Sequence, residues 1–396
     1  MKHLKTVFNA LRWSFLTFIT GFSAPVAAQD DSTLLAMDSV EISLLTCEPH
    51  DEVYSLYGHT AIRYHDFHKK GGVDAAFNYG VFNFHAPHFV ARFVFGLTDY
   101  ELGAFPYRLF QAEYRHFGSM VTEQVLNLTA QEKYQLCQAL SDNLRPENRI
   151  YRYNYFYNNC TTKARDIIEQ CINGKVEYAE HEDYTPTYRD MVHEMTQRNP
   201  WSRWGNDLLL GIKSDQTTTL RQQEFLPHNL MYDFDRAQIY TNGTYRPLVK
   251  ERRIGVPAGV QMQQPGFPLS PLQCGFILLA IVIILFLIQR KKHCCFMLWD
   301  VLLMLVTGII GIVLFLMLFS QHPTVSLNLQ IILFNPLPWF FLWPVIRGKK
   351  TRYWQITAIL SILFLTGALF QSYAEGIWSL ALCLLLQSWL HMRSKR

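Results

Sequence analysis

The stretch HTAIRYH, residues 59–65, alternates in character and reads as a β-strand, and the segments on either side of it organise the first two thirds of the chain. Asp66–Gly72 supplies a turn containing Gly71-Gly72, and Asp74–Phe84 returns as the partner strand. Upstream, Asp38–Thr46 (DSVEISLLT) is rich in branched apolar residues and reads as another strand. Downstream, Thr129–Leu144 has helical periodicity, with Thr129 placed to cap it and Glu132 three residues on, as in a capping box. Arg149–Tyr157 (RIYRYNYFY) is aromatic and strand-like and runs into Asn158-Asn159-Cys160, after which Thr161–Ile172 reads as a helix. Pro186 and Pro200 each sit where a helix can begin. Asn242-Gly243 marks a two-residue hairpin between Gln238–Thr241 and Thr244–Val249. Strands and helices mixed in this order make the class α+β.

Composition divides this part of the chain from the C-terminal third. The 396 residues are 49% hydrophobic and 17% charged, against about 25% charged in ordinary soluble domains. The apolar excess lies beyond Pro271, in five runs: Leu272–Gln289, Val301–Phe319, Leu329–Ile346, Tyr353–Phe370 and Gly376–Met392, each about long enough to cross hydrocarbon. Pro336, Pro338 and Pro344 predict that the third is kinked or re-entrant. The loops after the first, third and fifth runs carry Arg290-Lys291-Lys292, Arg347/Lys349/Lys350/Arg352 and Arg393/Lys395/Arg396, while Ser320–Asn328 and Gln371–Glu375 hold no Lys or Arg. Basic loops stay cytoplasmic, so residues 29–270 are expected outside the inner membrane. The N-terminus agrees. Lys2, Lys5 and Arg12, an apolar stretch from Trp13 to Phe22 and the small residues Val26-Ala27-Ala28 make a secretory signal peptide over 1–28. The net charge of +4 is too small to suggest nucleic acid. Gly255–Pro271, with four prolines, reads as a tether to the membrane.

The exported part holds Cys47, Cys137, Cys160 and Cys171, which an oxidising compartment allows to form two disulfides, or one if a thiol is kept for work. No CxxC pair and no metal-ligand spacing is present, so no metal and no cofactor are expected.

Two places carry chemistry: Gly58-His59 opening a strand, and Asn159-Cys160 where an aromatic segment meets a helix. A thiol at a helix N-terminus feels the helix dipole and unpaired N–H groups, which favour thiolate. A histidine beside it can take the proton, and the same N–H groups can donate to the oxyanion of a tetrahedral intermediate. The competing reading makes Cys160 a small buried residue and His59 a satisfied strand histidine. With the hairpin centred on Gly71-Gly72, His59 lies near Asn78 or Gly80; Asn78 is the favoured partner for the imidazole, with Asp74 and His65 as rivals. Tyr57 is a further candidate at the oxyanion, and Lys163 and Arg165 are candidates to attract lipid phosphate. The polar residues His322, Asn328 and Asn335, beside the Pro-broken run, are expected to contact lipid headgroup or substrate. Phe105–Phe117 (FPYRLFQAEYRHF) reads as core packing, with a place at the membrane surface as the alternative.

The stretches Leu44-Leu45-Thr46-Cys47, Tyr54-Ser55-Leu56-Tyr57-Gly58-His59-Thr60-Ala61-Ile62-Arg63, Phe77-Asn78-Tyr79-Gly80-Val81-Phe82 and Tyr157-Asn158-Asn159-Cys160-Thr161-Thr162 together resemble the Lnb family, the lipoprotein N-acyltransferases of Bacteroides-type bacteria. Asn199-Pro200-Trp201, Phe225-Leu226-Pro227 and the multi-span tail extend the resemblance over most of the chain. It implies a circularly permuted papain-like catalytic domain over 29–178, accessory helices and a hairpin over 179–255, a tether over 256–271 and an all-α membrane domain of about five spanning helices over 272–396. It also implies an activity. Cys160, with His59 and Asn78, is expected to take an acyl chain from a phospholipid donor as a thioester and pass it to the α-amino group of a diacylated lipoprotein, both partners residing in the bilayer. A cysteine hydrolase of cell-wall peptides or lipids, and a non-catalytic envelope-binding module, are the rival classes.

Overall fold

Val40–Cys47 (β1) is buried on both faces along nearly its whole length, which its VEISLLTC sequence allows because apolar side chains alternate with small Ser and Thr. Around it the computed structural model, which describes residues 31–67, 72–83, 86–180, 184–261, 266–349 and 351–393, builds a seven-stranded antiparallel sheet. Its other strands are β2 (His59–Asp66), β3 (Asp74–Val81), β4 (Asp99–Pro106), β5 (Val121–Leu126) and β6 (Ile150–Arg152); β7 (Lys175–Glu177), β8 (Gln238–Thr241) and β9 (Thr244–Pro247) form a separate small sheet, and β10 (Val249–Val256) returns to the edge of the large one. The large sheet runs β10-β5-β1-β2-β3-β4-β6. The N-terminal segment read as a signal peptide lies outside the described residues.

Besides short helical turns at Asp31–Ala36 and Leu220–Gln223, the helices of this part are α1 (Phe89–Val94), α2 (Tyr107–Phe117), α3 (Ala130–Leu144), α4 (Cys160–Gln170), α5 (Tyr188–Met195), α6 (Pro200–Leu209) and α7 (Pro227–Arg236). One sheet face, with Ile42, Leu44, Ile62 and Tyr79, packs on Leu136 and Leu140 of α3 and Ile167 and Ile168 of α4. The other face, with Leu45, Cys47, Ala61 and Ala76, is covered by Tyr107, Phe110 and Tyr114 of α2. Each fully buried leucine or isoleucine in these layers contributes about 1.5–3 kcal/mol. The aromatic segment 105–117 is therefore core, since α2 places its three rings on one stripe. Arg63 clamps the layers together. Its guanidinium donates to Asp74 at 2.8 and 2.9 Å and to Glu123 at 3.0 Å, and lies 3.8 Å from the centre of the Tyr107 ring.

The Thr129 capping box forms as its spacing predicts, and Asn242-Gly243 turns the β8–β9 hairpin with φ of 49° and 87°. Three readings are corrected. Only Ile150–Arg152 of the segment 149–157 is a strand; Asn154 Oδ1 accepts from the amides of Phe156 and Tyr157, so the chain turns, and Phe156 joins a core with Tyr188 and Phe225. The second correction concerns the helix near Pro186, which begins at Tyr188 because Thr187 forms the capping box with Asp190. Third, all eight cysteines are free thiols, so no disulfide forms among Cys47, Cys137, Cys160 and Cys171. The expected tether also begins as packed chain: Gly259 donates to Gly118 O at 3.0 Å and Gln261 to Pro49 O at 2.9 Å.

The C-terminal region is helical: α8 (Pro271–Lys292), α9 (Met297–Met317), α10 (Leu337–Ile346), α11 (Tyr353–Gly367) and α12 (Ile377–Arg393). Three apolar stretches reach membrane-crossing length, Pro271–Lys292, Met297–Met317 and Leu329–Ile346, while Tyr353–Gly367 is shorter. The third is broken: a 3₁₀ turn over Leu329–Ile332 precedes Pro336, and α10 starts after it, as the prolines predict. The two parts of the chain are joined by many hydrogen bonds. Gly211 N donates to Thr324 O and Ile212 N to Leu327 O, both at 2.8 Å, Gln330 donates to Asp207 O at 2.7 Å, and Arg203 pairs with Glu375 at 2.6 Å.

Candidate active site

β2 begins with His59 opposite Cys47 of β1, and the β2–β3 register continues Ile62↔Phe77, Arg63↔Ala76 toward the His59 end. That pairing carries Asn78 to a position diagonal to His59, and Asn78 Oδ1 lies 2.7 Å from His59 Nε2. An amide oxygen only accepts, so Nε2 is the donor and Nδ1 is left for a second partner. Cys160 lies beside the imidazole: its Cβ and His59 Cε1 both flank the position of a Cβ on Gly80, at 3.6 and 3.4 Å, and the two side chains act on each other's titration. Asp74 and His65, the rivals of Asn78, sit at the far end of the hairpin around Arg63.

Cys160 is the first residue of α4, and Asn159 is its cap. Asn159 Oδ1 accepts from the amides of Thr161 and Thr162, both at 2.9 Å, while its Nδ2 donates to Tyr155 O at 3.0 Å and Phe225 O at 2.9 Å. This changes the expectation for the oxyanion. The cap already takes the second and third amides of the helix, so of the first three only the Cys160 N–H is left by it. The thiol also has neighbours in the Thr60 amide and the Thr161 hydroxyl, the latter 3.8 Å away.

The electrostatics arise from these contacts. Burial among protein atoms pushes the Cys160 thiol up, but the His59 charge and hydrogen bonds from His59, Thr60 and Thr161 outweigh it, bringing the pKa down to about 7. Burial pulls the His59 imidazole down, and the Cys160 charge with hydrogen bonds to Cys160 and Asn78, plus the Glu113 carboxylate, raises it above its ordinary value. The two shifts have opposite signs and one cause: the imidazolium–thiolate pair stabilises itself. Alkylation of the Cys160 peptide by iodoacetamide is thus expected to rise with pH about a midpoint near 7, below the roughly 8.5 of a free thiol. Asn78→Ala removes a bond that favours the imidazolium, so the midpoint moves up; mass spectrometry of the labelled peptide reads it, and an unmoved midpoint would deny Asn78 any part in holding His59.

Gly80 brings no reactive group of its own, yet it lies among all three side chains. A Cβ built there would stand 3.4 Å from His59 Cε1, 3.6 Å from Cys160 Cβ and 3.9 Å from Asn78 Oδ1, and its φ is +123°. Gly58 is a second special position: its φ is +74° and a Cβ would stand 2.6 Å from Cys47 O, so the tight entry into His59 needs glycine.

The other named residues go elsewhere. Tyr57 OH accepts from Asn206 Nδ2 at 2.8 Å, tying the approach to His59 to α6. Arg165 is corrected outright: it is buried, donates to Glu224 and to Arg221 O at 2.8 and 2.9 Å, and has no charge to spare for phosphate. Periodicity around Ile167 and Ile168 put Arg165 on a helix face, but its partner Glu224 arrives from far along the chain. Arg165→Met leaves Glu224 buried without its cation and is expected to cost about 3–5 kcal/mol, read as a lowered Tm in detergent, with Glu224→Leu in the same chain recovering part of it. Lys163 lies over the Tyr151 ring at 5.1 Å.

His322 is 2% exposed, with Nε2 at 3.3 Å from Phe93 O and its ring 4.8 Å from that of Tyr155. Asn328, 4% exposed, donates to Leu208 O at 2.8 Å and accepts from Gln371 at 2.9 Å. Asn335 caps locally, donating to Ile332 O at 3.0 Å and accepting from Leu337 N at 3.1 Å. His322 and Asn328 thus bind the two parts of the chain together, and the reading of these two residues as substrate contacts is replaced by one of structural joints. Among the described residues no cluster of His, Cys, Asp and Glu could hold a metal ion.

The family comparison is decided by two matches. The Lnb N-terminal periplasmic domain matches residues 30–197, and the Lnb transmembrane domain matches residues 262–396. The chain belongs to the Lnb family. Its N-terminal part is a periplasmic domain of mixed α and β structure, and the C-terminal part is a helical membrane domain. No curated protein and no solved structure matches the chain significantly. Both His59 and Cys160 fall within the match to the periplasmic domain.

Proposed function

We propose that this Lnb-family chain is a lipoprotein N-acyltransferase of the inner membrane, working on its periplasmic face with Cys160 as nucleophile, His59 as base and acid, and Asn78 orienting the imidazole. The observation that carries the reading is the thiol at the start of α4, brought down to about 7 by an imidazole that Asn78 holds at 2.7 Å. Its order along the chain, a strand histidine before a helix-start cysteine, is that of permuted papain-like folds. Reading the apolar helices of the C-terminal region as five spans supports this function, because both proposed substrates would be borne by the bilayer.

In the first half-reaction the Cys160 thiolate attacks the ester carbonyl of a phospholipid. The tetrahedral oxyanion collapses, the C–O bond breaks, and the His59 imidazolium protonates the leaving lysophospholipid alkoxide. An acyl thioester and a neutral imidazole remain. In the second, the unprotonated α-amine of a diacylglyceryl-cysteine lipoprotein attacks the thioester, His59 accepts the amine proton, and the thiolate leaves as the amide forms. Charge and atoms balance without metal or nucleotide. The Cys160 N–H, left by the Asn159 cap, is the donor best placed in sequence for the oxyanion.

The test is to incubate the purified full-length protein with phospholipid vesicles and a synthetic diacylated lipopeptide and to follow both by mass spectrometry. Gain of one amide-linked acyl chain on the lipopeptide, with lysophospholipid and a Cys160 acyl adduct, is the expected result. Free fatty acid without acyl transfer would make the chain a hydrolase; no turnover of either substrate would leave it a binding module.

A further inference from the structure

Two segments hold the reactive pair, and each is hydrogen-bonded to the same stretch of the membrane domain, residues 318–336 between α9 and α10. The first segment is the turn between β6 and α4. Backbone bonds run both ways between Asn154 and Asn158, at 3.1 and 2.8 Å, so residues 154–158 form a closed turn. The next residue is Asn159, the cap that sets where Cys160 enters its helix. Tyr155 lies within this turn and is fixed at two atoms. Its carbonyl accepts from Asn159 Nδ2 at 3.0 Å, and its hydroxyl is bonded to Thr324 Oγ1 at 3.1 Å. His322 supports the same turn. Its Nε2 faces Phe93 O, which only accepts, so Nε2 carries the proton and Nδ1 is left to accept from Asn154 Nδ2 at 3.4 Å.

The second segment is Tyr57-Gly58-His59, which the Tyr57–Asn206 bond ties to α6. The last carbonyls of α6 have no partner within the helix. The membrane domain supplies them: Asp207 O accepts from Gln330 Nε2 at 2.7 Å, and Leu208 O from Asn328 Nδ2 at 2.8 Å. Just past the helix, Gly211 N donates to Thr324 O at 2.8 Å. Thr324, 1% exposed, therefore meets both routes, with its hydroxyl on the cysteine side and its carbonyl on the histidine side. A joint that only anchored the domain would need apolar area, which is indifferent to direction; hydrogen bonds fix where each partner sits.

We propose that Thr324 is a positioning residue for the Cys160–His59 pair, holding the turn before Cys160 and the helix behind Tyr57 at one point and so setting the distance between thiol and imidazole. The assignment rests on the reading of these two side chains as the reactive pair. It adds that the pair is completed by the membrane domain, which thereby serves the chemistry as well as anchoring the chain.

The test uses full-length protein in detergent. Thr324→Val keeps the shape and removes the hydroxyl. It is expected to move the midpoint of Cys160 alkylation by iodoacetamide up from near 7. It is also expected to lower kcat for lipopeptide acylation about tenfold with KM for phospholipid unchanged, since misplacements of 1 Å or less suffice for that. Thr324→Ser, which keeps the hydroxyl, restores both. Tyr155→Phe removes the other partner of the same bond and gives the same shift, and Thr324→Val/Tyr155→Phe goes no further than either alone. Should Thr324→Val fail to fold, Tyr155→Phe, which keeps its ring beside His322, carries the test by itself. Tm measured alongside separates position from stability. A lowered Tm with wild-type midpoint and kcat would make Thr324 a joint and nothing more, and would overturn the proposal. Alkylation asks nothing of the lipid chemistry, so a moved midpoint in a chain that hydrolyses or only binds supports the positioning role while the transfer reading falls. A wild-type midpoint at the ordinary thiol value of roughly 8.5 would remove the pair itself, and the proposal with it.

Discussion

Cys160→Ser and His59→Ala are each expected to lower the proposed acyl transfer by about 10⁴-fold or more, with the double variant no worse than either single one, because the two side chains act as a unit. The physical grounds differ. Serine keeps the position but replaces a thiol near pKa 7 with a hydroxyl that stays protonated. Alanine at 59 removes the charge and the hydrogen bond that draw the thiol down, so burial is no longer opposed by either and the thiol pKa rises. His59→Ala is therefore expected to shift alkylation of Cys160 to higher pH as well as to stop turnover. Lipopeptide acylation followed by mass spectrometry reads the rate, and iodoacetamide labelling reads the thiol. Substantial turnover by His59→Ala, or a labelling profile that does not move, would falsify the pairing.

Gly80→Ala is the second large effect, expected without any loss of a reactive atom. At φ +123° an alanine is strained by about 1–3 kcal/mol. Its methyl would also be wedged 3.4 Å from the imidazole, 3.6 Å from Cys160 Cβ and 3.9 Å from the Asn78 oxygen. None of these contacts is a severe clash taken alone. Relieving the backbone strain, however, moves β3 against the groups that the site needs in register, and a displacement on the order of 1 Å costs about 10²-fold. The expected result is a drop of that size in kcat, a modest fall in Tm and an upward shift of the Cys160 midpoint, since a longer thiol–imidazole distance weakens the pair. Unchanged kcat and unchanged labelling would show that Gly80 serves only the strand.

The same site shows which features are local and which are not. The capping box at Thr129, the Asn242-Gly243 turn, the β2 and β3 strands and a helix opening at Cys160 are each set by a few neighbouring residues, so a reading of short windows finds them. Asn78 is within reach for the same reason: hairpin register depends on turn length, which is a near-neighbour property. β4, β5 and β10 escape such a reading. β4 carries Gly103 in its middle, β5 mixes Thr, Glu and Gln among its apolar residues, and β10 (VKERRIGV) is a charged edge strand paired with β5 from far along the chain. The segment Tyr153–Tyr157 misleads in the opposite direction. Its aromatic content mimics a strand, whereas Asn154 turns the backbone, so that Phe156 enters the core with Tyr188 and Phe225 while Tyr153 stacks on Tyr100.

By itself, then, the amino-acid order determined an apolar helical C-terminal region, a mixed α and β part before it, and the two short motifs that hold an imidazole and a sulfur. Those come from hydropathy, loop charge and capping chemistry, each of which acts over a handful of residues. What only the tertiary structure decided is which groups meet. Gly80 stands among His59, Cys160 and Asn78, Arg165 is consumed by Glu224, and His322 and Asn328 are spent joining the two parts of the chain. Such meetings depend on sheet order and layer packing, which bring together residues separated by tens to hundreds of positions, and no periodicity within a segment encodes its partner in another.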